Sequence, residues 1–198
     1  MVSDASKRIC VFCGSSEGSD PVYAEAARTL GDELTTRGYG LVYGGGQVGL
    51  MGILSRRVMD RGGEVIGVIP RTLTEKEVAS DDVTELHVVD TMHERKALMN
   101  ELSSAFVALP GGFGTMEELF EVITWAQLGL HTKPFGLLDV NGFFAPLLAF
   151  LDHATEERFI RAEYRAMVTS ESDPASLLDL LERWDAPEPI RWLDLEQT

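Results

Sequence analysis

Positive charge is scarce in this chain. Lys and Arg together number 17 against 32 Asp and Glu, only four of the 17 are lysine, and the formal net charge is −15. A surface so acidic repels phosphate backbones and anionic lipid headgroups, which argues against nucleic acid or a membrane as partner. Any anionic ligand must then be held locally, by backbone N–H groups and a few placed Arg or Lys side chains. Cysteine is equally sparse. Cys10 and Cys13 are the two present, and although they read as C-x-x-C, residues three apart on a strand face opposite ways, so a core role is expected. No second cysteine pair exists to complete a zinc site, and His87, His93, His131 and His153 lack the close helical spacing of a metal pair. Neither a metal nor a cofactor is expected. No run approaches the roughly 18 apolar residues that span a bilayer, and no leader pattern opens the chain. A cytoplasmic protein is the expectation.

What is present is an ordinary globular balance: 198 residues, 44% hydrophobic and 25% charged, enough to bury one substantial core. Short apolar runs alternate with longer stretches of helical period. Strands are expected over residues 8–13, 41–43, 64–69, 86–89, 105–109, 135–138 and 167–169. Helices are expected over 21–37, 50–61, 92–102, 115–128, 144–157 and 175–184. The polar stretch 71–82 reads as a functional loop. This alternation predicts βαβ units and the α/β class. The expected form is a single doubly wound Rossmann-like domain spanning 1–198, its mostly parallel sheet flanked by helices. The ends, 1–7 and 187–198, are less regular.

In such sheets ligands bind beyond the carboxyl ends of the strands. Three strands here run into small-residue turns: Gly14-Ser15-Ser16, Gly44-Gly45-Gly46 and Pro110-Gly111-Gly112-Phe113-Gly114. Glycines let amides approach an anion, and a following helix adds its dipole. Plain tight turns are the competing reading. Residues 44–49 satisfy G-x-G-x-x-G, but the next strand ends in Val68-Ile69-Pro70-Arg71 rather than in the acid that would hold an adenosine ribose, which weakens a dinucleotide redox role. Thr115 and Glu118 form T-x-x-E, the pattern of a capping box. Glu118 is also placed to meet a sugar beside a phosphate-suited loop. Met92-His93-Glu94-Arg95-Lys96 opens the preceding helix, and its Arg95–Lys96 pair would supply positive charge to a phosphate or a leaving base. Phe113 and Met116 are candidates for a base pocket or equally for the core.

Pro110–Glu118 matches P-G-G-x-G-T-x-x-E. Together with Met92-x-x-Arg95-Lys96, Gly44-Gly45-Gly46 and Cys13-Gly14-Ser15-Ser16 it resembles the LOG family of cytokinin riboside 5′-monophosphate phosphoribohydrolases, over about residues 8–185. The resemblance implies hydrolysis of the base-to-ribose bond, with Arg95 and Glu118 as the catalytic pair. It implies phosphate contact by Gly111, Gly112, Gly114 and Thr115. Further substrate contacts are expected from Glu77, Met92, Lys96, Glu117 and Thr124, and from the turns holding Gly14, Ser15, Gly44, Gly45 and Gly46. It also implies a homodimer with the site near the subunit interface. A broader nucleotide nucleosidase, or a non-catalytic carrier of a nucleotide or molybdenum cofactor, are the alternatives. A lysine decarboxylase would need a Schiff-base lysine for pyridoxal phosphate, for which Lys96 is the one candidate near the site.

Overall fold

The computed structural model describes residues 8–74 and 82–184; Glu77 and the two ends fall outside the described residues. Its strands are β1 (Arg8–Phe12), β2 (Gly40–Tyr43), β3 (Val65–Pro70), β4 (Glu85–Val89), β5 (Ala105–Ala108), β6 (Phe135–Leu138) and β7 (Thr169–Glu171). They form one sheet in the order β4-β3-β2-β1-β5-β6-β7, and every pairing is parallel. The expected mostly parallel sheet is therefore wholly parallel among the described residues. The inner strands are buried along their whole length because helices cover both faces. The two edge strands are more polar and only partly buried, which discourages edge-to-edge pairing.

The helices are α1 (Pro21–Thr36), α2 (Gly49–Asp60), α3 (Met92–Glu101), α4 (Phe113–Gln127), α5 (Ala145–Glu156), α6 (Ala162–Ala166) and α7 (Pro174–Glu182). Leu30 and Leu34 of α1, Leu50 and Leu54 of α2, and Leu177 and Leu181 of α7 pack with Ile9, Val11 and Val107 on one sheet face. Met99 of α3, Leu119 and Val122 of α4, and Leu151 of α5 pack with Phe12, Val42 and Phe106 on the other. Cys10 and Cys13 lie in these opposite layers. Burial holds both thiols well above the usual range, so they behave as small hydrophobes.

The chain winds outward from β1 through β2 and β3 to β4, then crosses back to place β5 on the other side of β1. The helices that follow β1 and β5 therefore leave toward opposite faces, which opens a crevice at the carboxyl ends of those two strands.

Beyond shifts of one or two residues at other ends and two short 3-10 turns at Arg71–Leu73 and Val140–Gly142, three elements stand out against expectation. The helix expected to start at Thr115 starts at Phe113, with Gly112 as its N-cap. The last strand lies two residues later than expected; Met167 and Val168 are buried ahead of it and pack into the α3–α4–α5 layer. Helix α6 was not anticipated, because five residues are too few to establish a period.

Candidate active site

The three glycine turns meet at the crevice, but they do different work. Gly14 N–H donates to the Pro110 carbonyl at 3.0 Å, and the Gly14 carbonyl accepts from Leu50 N–H at 3.0 Å. Gly14 thus ties the turn after β5 to the start of α2. A side chain on Gly49 would collide with the Ser15 backbone, and Gly49 has φ +57°, so this junction needs glycine twice over. Ser15 itself is exposed at the rim. The start of α1 is closed by the Asp20 carboxylate, which accepts from Val22 N–H at 3.0 Å. Gly14 and Gly49 thus hold the framework of the crevice together.

The turn after β5 is different. Helix α4 begins at the N-cap Gly112 with no side-chain cap and no acid in its first turn. Its first helical bond runs from Met116 N–H to the Gly112 carbonyl at 3.1 Å. The amides of Phe113, Gly114 and Thr115 precede that bond, so the helix ladder supplies them no acceptor. The anticipated capping box is overturned. Thr115 sits at the third helical position, buried, with its hydroxyl packed where a Gly111 side chain would be. Glu118 lies a full turn inside. A T-x-x-E box does cap a helix here, but it is Thr91 and Glu94 on α3: Thr91 Oγ1 accepts from Glu94 N–H at 3.1 Å, while Glu94 Oε2 accepts from Asp90 N–H at 2.9 Å.

Gly111 and Gly112 make a paired prediction. A methyl on Gly111 would meet Thr115 and, at 2.9 Å, the Gly14 nitrogen, whereas nothing lies within 4 Å of one on Gly112. Gly111→Ala should cost about 1–3 kcal/mol through overpacking. Gly112→Ala meets no clash and should cost about 1 kcal/mol or less, the preference of an N-cap for glycine over alanine, while weakening the hold on any anion bound at the amides that follow it. Chemical denaturation alongside steady-state kinetics separates the two.

Arg95 is the best-anchored charged side chain at this edge, only 5% exposed. Its Nε donates to the Val68 carbonyl of β3 at 3.1 Å and its Nη2 to the Gly44 carbonyl after β2 at 3.2 Å. Its Nη1 lies 3.5 Å from Glu118 Oε1 and 3.9 Å from Met92 Sδ. Glu118 is 8% exposed. The expected catalytic pair is therefore brought together by α3 and α4, with the guanidinium fixed by two strand ends. Gly44 has to lack a side chain, since a Cβ would collide with Nη2 of Arg95. Gly45, at φ +78°, turns the chain beside Ile69, and Gly46 is buried behind it.

The other expected contacts divide. Met92 is partly exposed beside the Arg95 guanidinium. Lys96 does not reach into the crevice as a free cation: its Nζ sits 2.5 Å from Glu117 Oε1 and 3.0 Å from Glu121 Oε1. Burial alone would lower the Lys96 pKa, yet these two carboxylates leave it raised. Thr124 is exposed and donates to the Phe120 carbonyl. It lies about 9 Å farther along α4 than Glu118 and roughly a third of a turn away around the helix, so one chain does not bring it to the Arg95–Glu118 pair. Phe113 is almost wholly exposed at the first helical position, and Met116 is half-buried against the core. His131 is buried, with Nε2 at 3.0 Å from the Val122 carbonyl and Nδ1 accepting from Lys133 N–H, a packing role. Among the described residues, no group of three or more His, Cys, Asp or Glu side chains could hold a metal ion. No helix of these residues is long and apolar enough to cross a membrane. Glu121 and the Val68 carbonyl were not anticipated. Glu121 follows Glu117 by one helical turn, a readable signal, but a backbone acceptor on β3 leaves no mark in the sequence.

Residues 51–181 match a family model described as "Possible lysine decarboxylase". Over 184 residues the chain is 52% identical to the probable cytokinin riboside 5′-monophosphate phosphoribohydrolase LOGL2 of Oryza sativa subsp. japonica, covering 93% of this chain and 75% of that protein. It is 51% identical over 178 residues to the cytokinin riboside 5′-monophosphate phosphoribohydrolase LOG2 of Arabidopsis thaliana, covering 90% and 84%. Among solved structures it is similar to the molybdenum cofactor binding protein of Rippkaea orientalis, with a TM-score of 0.67, 23% identity and coverage of 90% and 96%. The molybdenum cofactor carrier protein of Chlamydomonas reinhardtii is similar at a TM-score of 0.68 and 22% identity, with coverage of 90% and 97%. At that identity the two structures show a shared fold alone.

Proposed function

Because the chain belongs to the LOG family, with identity above 50% to its plant members across nine-tenths of its length, we propose that it hydrolyses the N-glycosidic bond of cytokinin riboside 5′-monophosphates. The products are the free N6-substituted adenine and ribose 5-phosphate. The observation that carries this reading is the Glu118 carboxylate, buried 3.5 Å from Arg95 and about one turn beyond the open amides of α4.

The 5′-phosphate sits at the N-terminus of α4, on the amides of residues 113–115, where the helix dipole favours an anion despite the acidic surface. That grip lays the ribose along the first turns of α4, toward Glu118. As the bond from C1′ to the base nitrogen lengthens, the ribose takes on oxocarbenium character. Glu118, ionised, stabilises that charge and accepts a proton from the attacking water. The water oxygen bonds to C1′, the bonding pair leaves with the base, and the proton that Glu118 took from the water ends on the departing base, which returns the carboxylate. Arg95 keeps Glu118 charged and stands beside the departing base. Binding energy at the phosphate is spent on aligning the sugar.

Chromatographic detection of free base and ribose 5-phosphate from N6-isopentenyl-AMP, AMP and GMP tests the reading. Release from the isopentenyl nucleotide is expected to be fastest. Comparable rates on all three would favour a broader nucleosidase. A ligand that binds while no base appears from any of them would favour a carrier. Removing the 5′-phosphate should lower kcat/KM by about 100-fold or more, since charge-assisted amide contacts are lost along with alignment. Equal rates for nucleoside and nucleotide would remove the phosphate clamp. A decarboxylase reading fits poorly: pyridoxal phosphate chemistry needs a lysine amine free to form a Schiff base, and Lys96 is held protonated between two carboxylates.

The functional unit in this reading is a homodimer. Phe120, Leu128 and Leu130 on and after α4, with Phe150 and Phe159 on and after α5, are exposed large apolar side chains borne by helices that cover the same sheet face, and a second copy would cover them. Light scattering should return twice the 21.8 kDa chain mass; a monomer at working concentration would discard the dimer.

A further inference from the structure

The Arg95–Glu118 pair has an adjoining rung. Lys96 follows Arg95 on α3, Glu117 precedes Glu118 on α4, and the Lys96 ammonium joins α3 to Glu117 at 2.5 Å and to Glu121 at 3.0 Å. The lysine side chain is only 9% exposed, while Glu117 remains half-exposed. Three carboxylates, Glu117, Glu118 and Glu121, therefore crowd two turns of α4. Glu118 and Glu121 are three apart, a spacing at which like charges on an uncompensated helix repel and oppose ionisation of the more buried, which here is Glu118; Glu117 acts on that pair through the lysine it shares with Glu121.

We propose that Lys96 is a positioning residue for the hydrolysis: it neutralises the outer carboxylates of α4 and clamps α4 to α3, so that Glu118 stays charged and in register with Arg95. The inference rests on the hydrolytic reading of this same site, and it differs from the expectation that Lys96 grips the substrate. Among the described residues, the charged and titratable groups that bear on Glu118 are Arg95 in direct contact, Lys96 and Glu121, which line the same small cavity, Glu117 through its bond to Lys96, and the thiols of Cys10 and Cys13 from β1. The thiols are held neutral by burial and drop out of the balance. Among the described residues, two cations, Arg95 and Lys96, then face three carboxylates. Removing one cation or one outer carboxylate tips that balance in opposite directions.

Opposed variants provide the test. Lys96→Met keeps the apolar stem and deletes the charge. It should lower kcat about 10- to 100-fold with KM within about threefold, and move the acid limb of the kcat–pH profile to higher pH. Glu117→Gln, at an exposed position where folding is not at stake, should move the same limb to lower pH. Lys96→Arg, which can still bridge two carboxylates, should restore the parent profile. A structural brace alone would not shift the limb in two directions. An unmoved limb in both charge-deleting variants, or a raised KM at unchanged kcat in Lys96→Met, would overturn the proposal. Direct 13C titration of the Glu118 carboxyl in the parent and in Glu117→Gln reads the same effect without turnover. If the parent released no base at all, the hydrolytic reading would fall, while the titration would still show whether Lys96 and its partners govern Glu118.

Discussion

Glu118→Gln is expected to give a folded protein whose release of free base falls at least about 100-fold. General-base assistance and electrostatic stabilisation of a developing cation are each worth on the order of 100-fold or more, and glutamine supplies neither. The shape of the site should survive. Gln fills the volume of Glu, and Arg95 keeps its bonds to the Val68 and Gly44 carbonyls, so the guanidinium has acceptors without the carboxylate. Fold retention does not depend on a cap from Glu118, because α4 starts at Phe113 with Gly112 as its N-cap and Glu118 sits a turn inside. The loss of a buried charge partner should cost about 1–3 kcal/mol, visible in a denaturation curve while the circular dichroism spectrum stays that of the parent. Initial rates of base release on a 5′-monophosphate substrate decide the matter. A rate near that of the parent would remove Glu118 from the chemistry and leave the Arg95 contact as packing alone.

The framework was legible because both faces of the sheet are covered. Strands such as Ile66–Ile69 and Phe106–Ala108 read as unbroken apolar runs, and the helices between them keep their period. The edges were harder. Beta-seven is polar and the conspicuous apolar pair before it, Met167 and Val168, belongs to the core without belonging to the strand. The start of α4 was misread for a physical reason. Thr115 and Glu118 have the spacing of a cap, but glycines at 111, 112 and 114 let the chain enter the helix earlier, and the absence of a side-chain cap is what leaves amides available to an anion. The expected catalytic residues were nameable from motif resemblance, but their partners were not. Arg95 and Glu118 are far apart in sequence and meet only through packing of α3 on α4, and the acceptors that aim Arg95 are backbone carbonyls on two other segments. The surroundings of Lys96 were hidden for the same reason: its charge is visible in the sequence, whereas the two glutamates that pair with it lie a helix away.

Gly44→Ala should be nearly as damaging as loss of the carboxylate, although it touches no substrate in the proposed mechanism. A methyl at this position would occupy the space of Arg95 Nη2 and approach Met51 Sδ to 3.1 Å. Arg95 has little room to yield, because Nε is tied to β3 and the side chain is almost wholly buried. Either the guanidinium swings away from Glu118 or the turn after β2 shifts. A displacement of about 1 Å at a reacting centre costs on the order of 100-fold in rate, and overpacking of this kind costs about 1–3 kcal/mol in stability. A double-mutant cycle separates these effects. Arg95→Met removes the guanidinium and leaves space for the methyl, so Gly44→Ala should add little further loss of activity or stability in that background. Strict additivity in the cycle would mean that the glycine serves only the local turn, and that Arg95 is aimed by β3 alone.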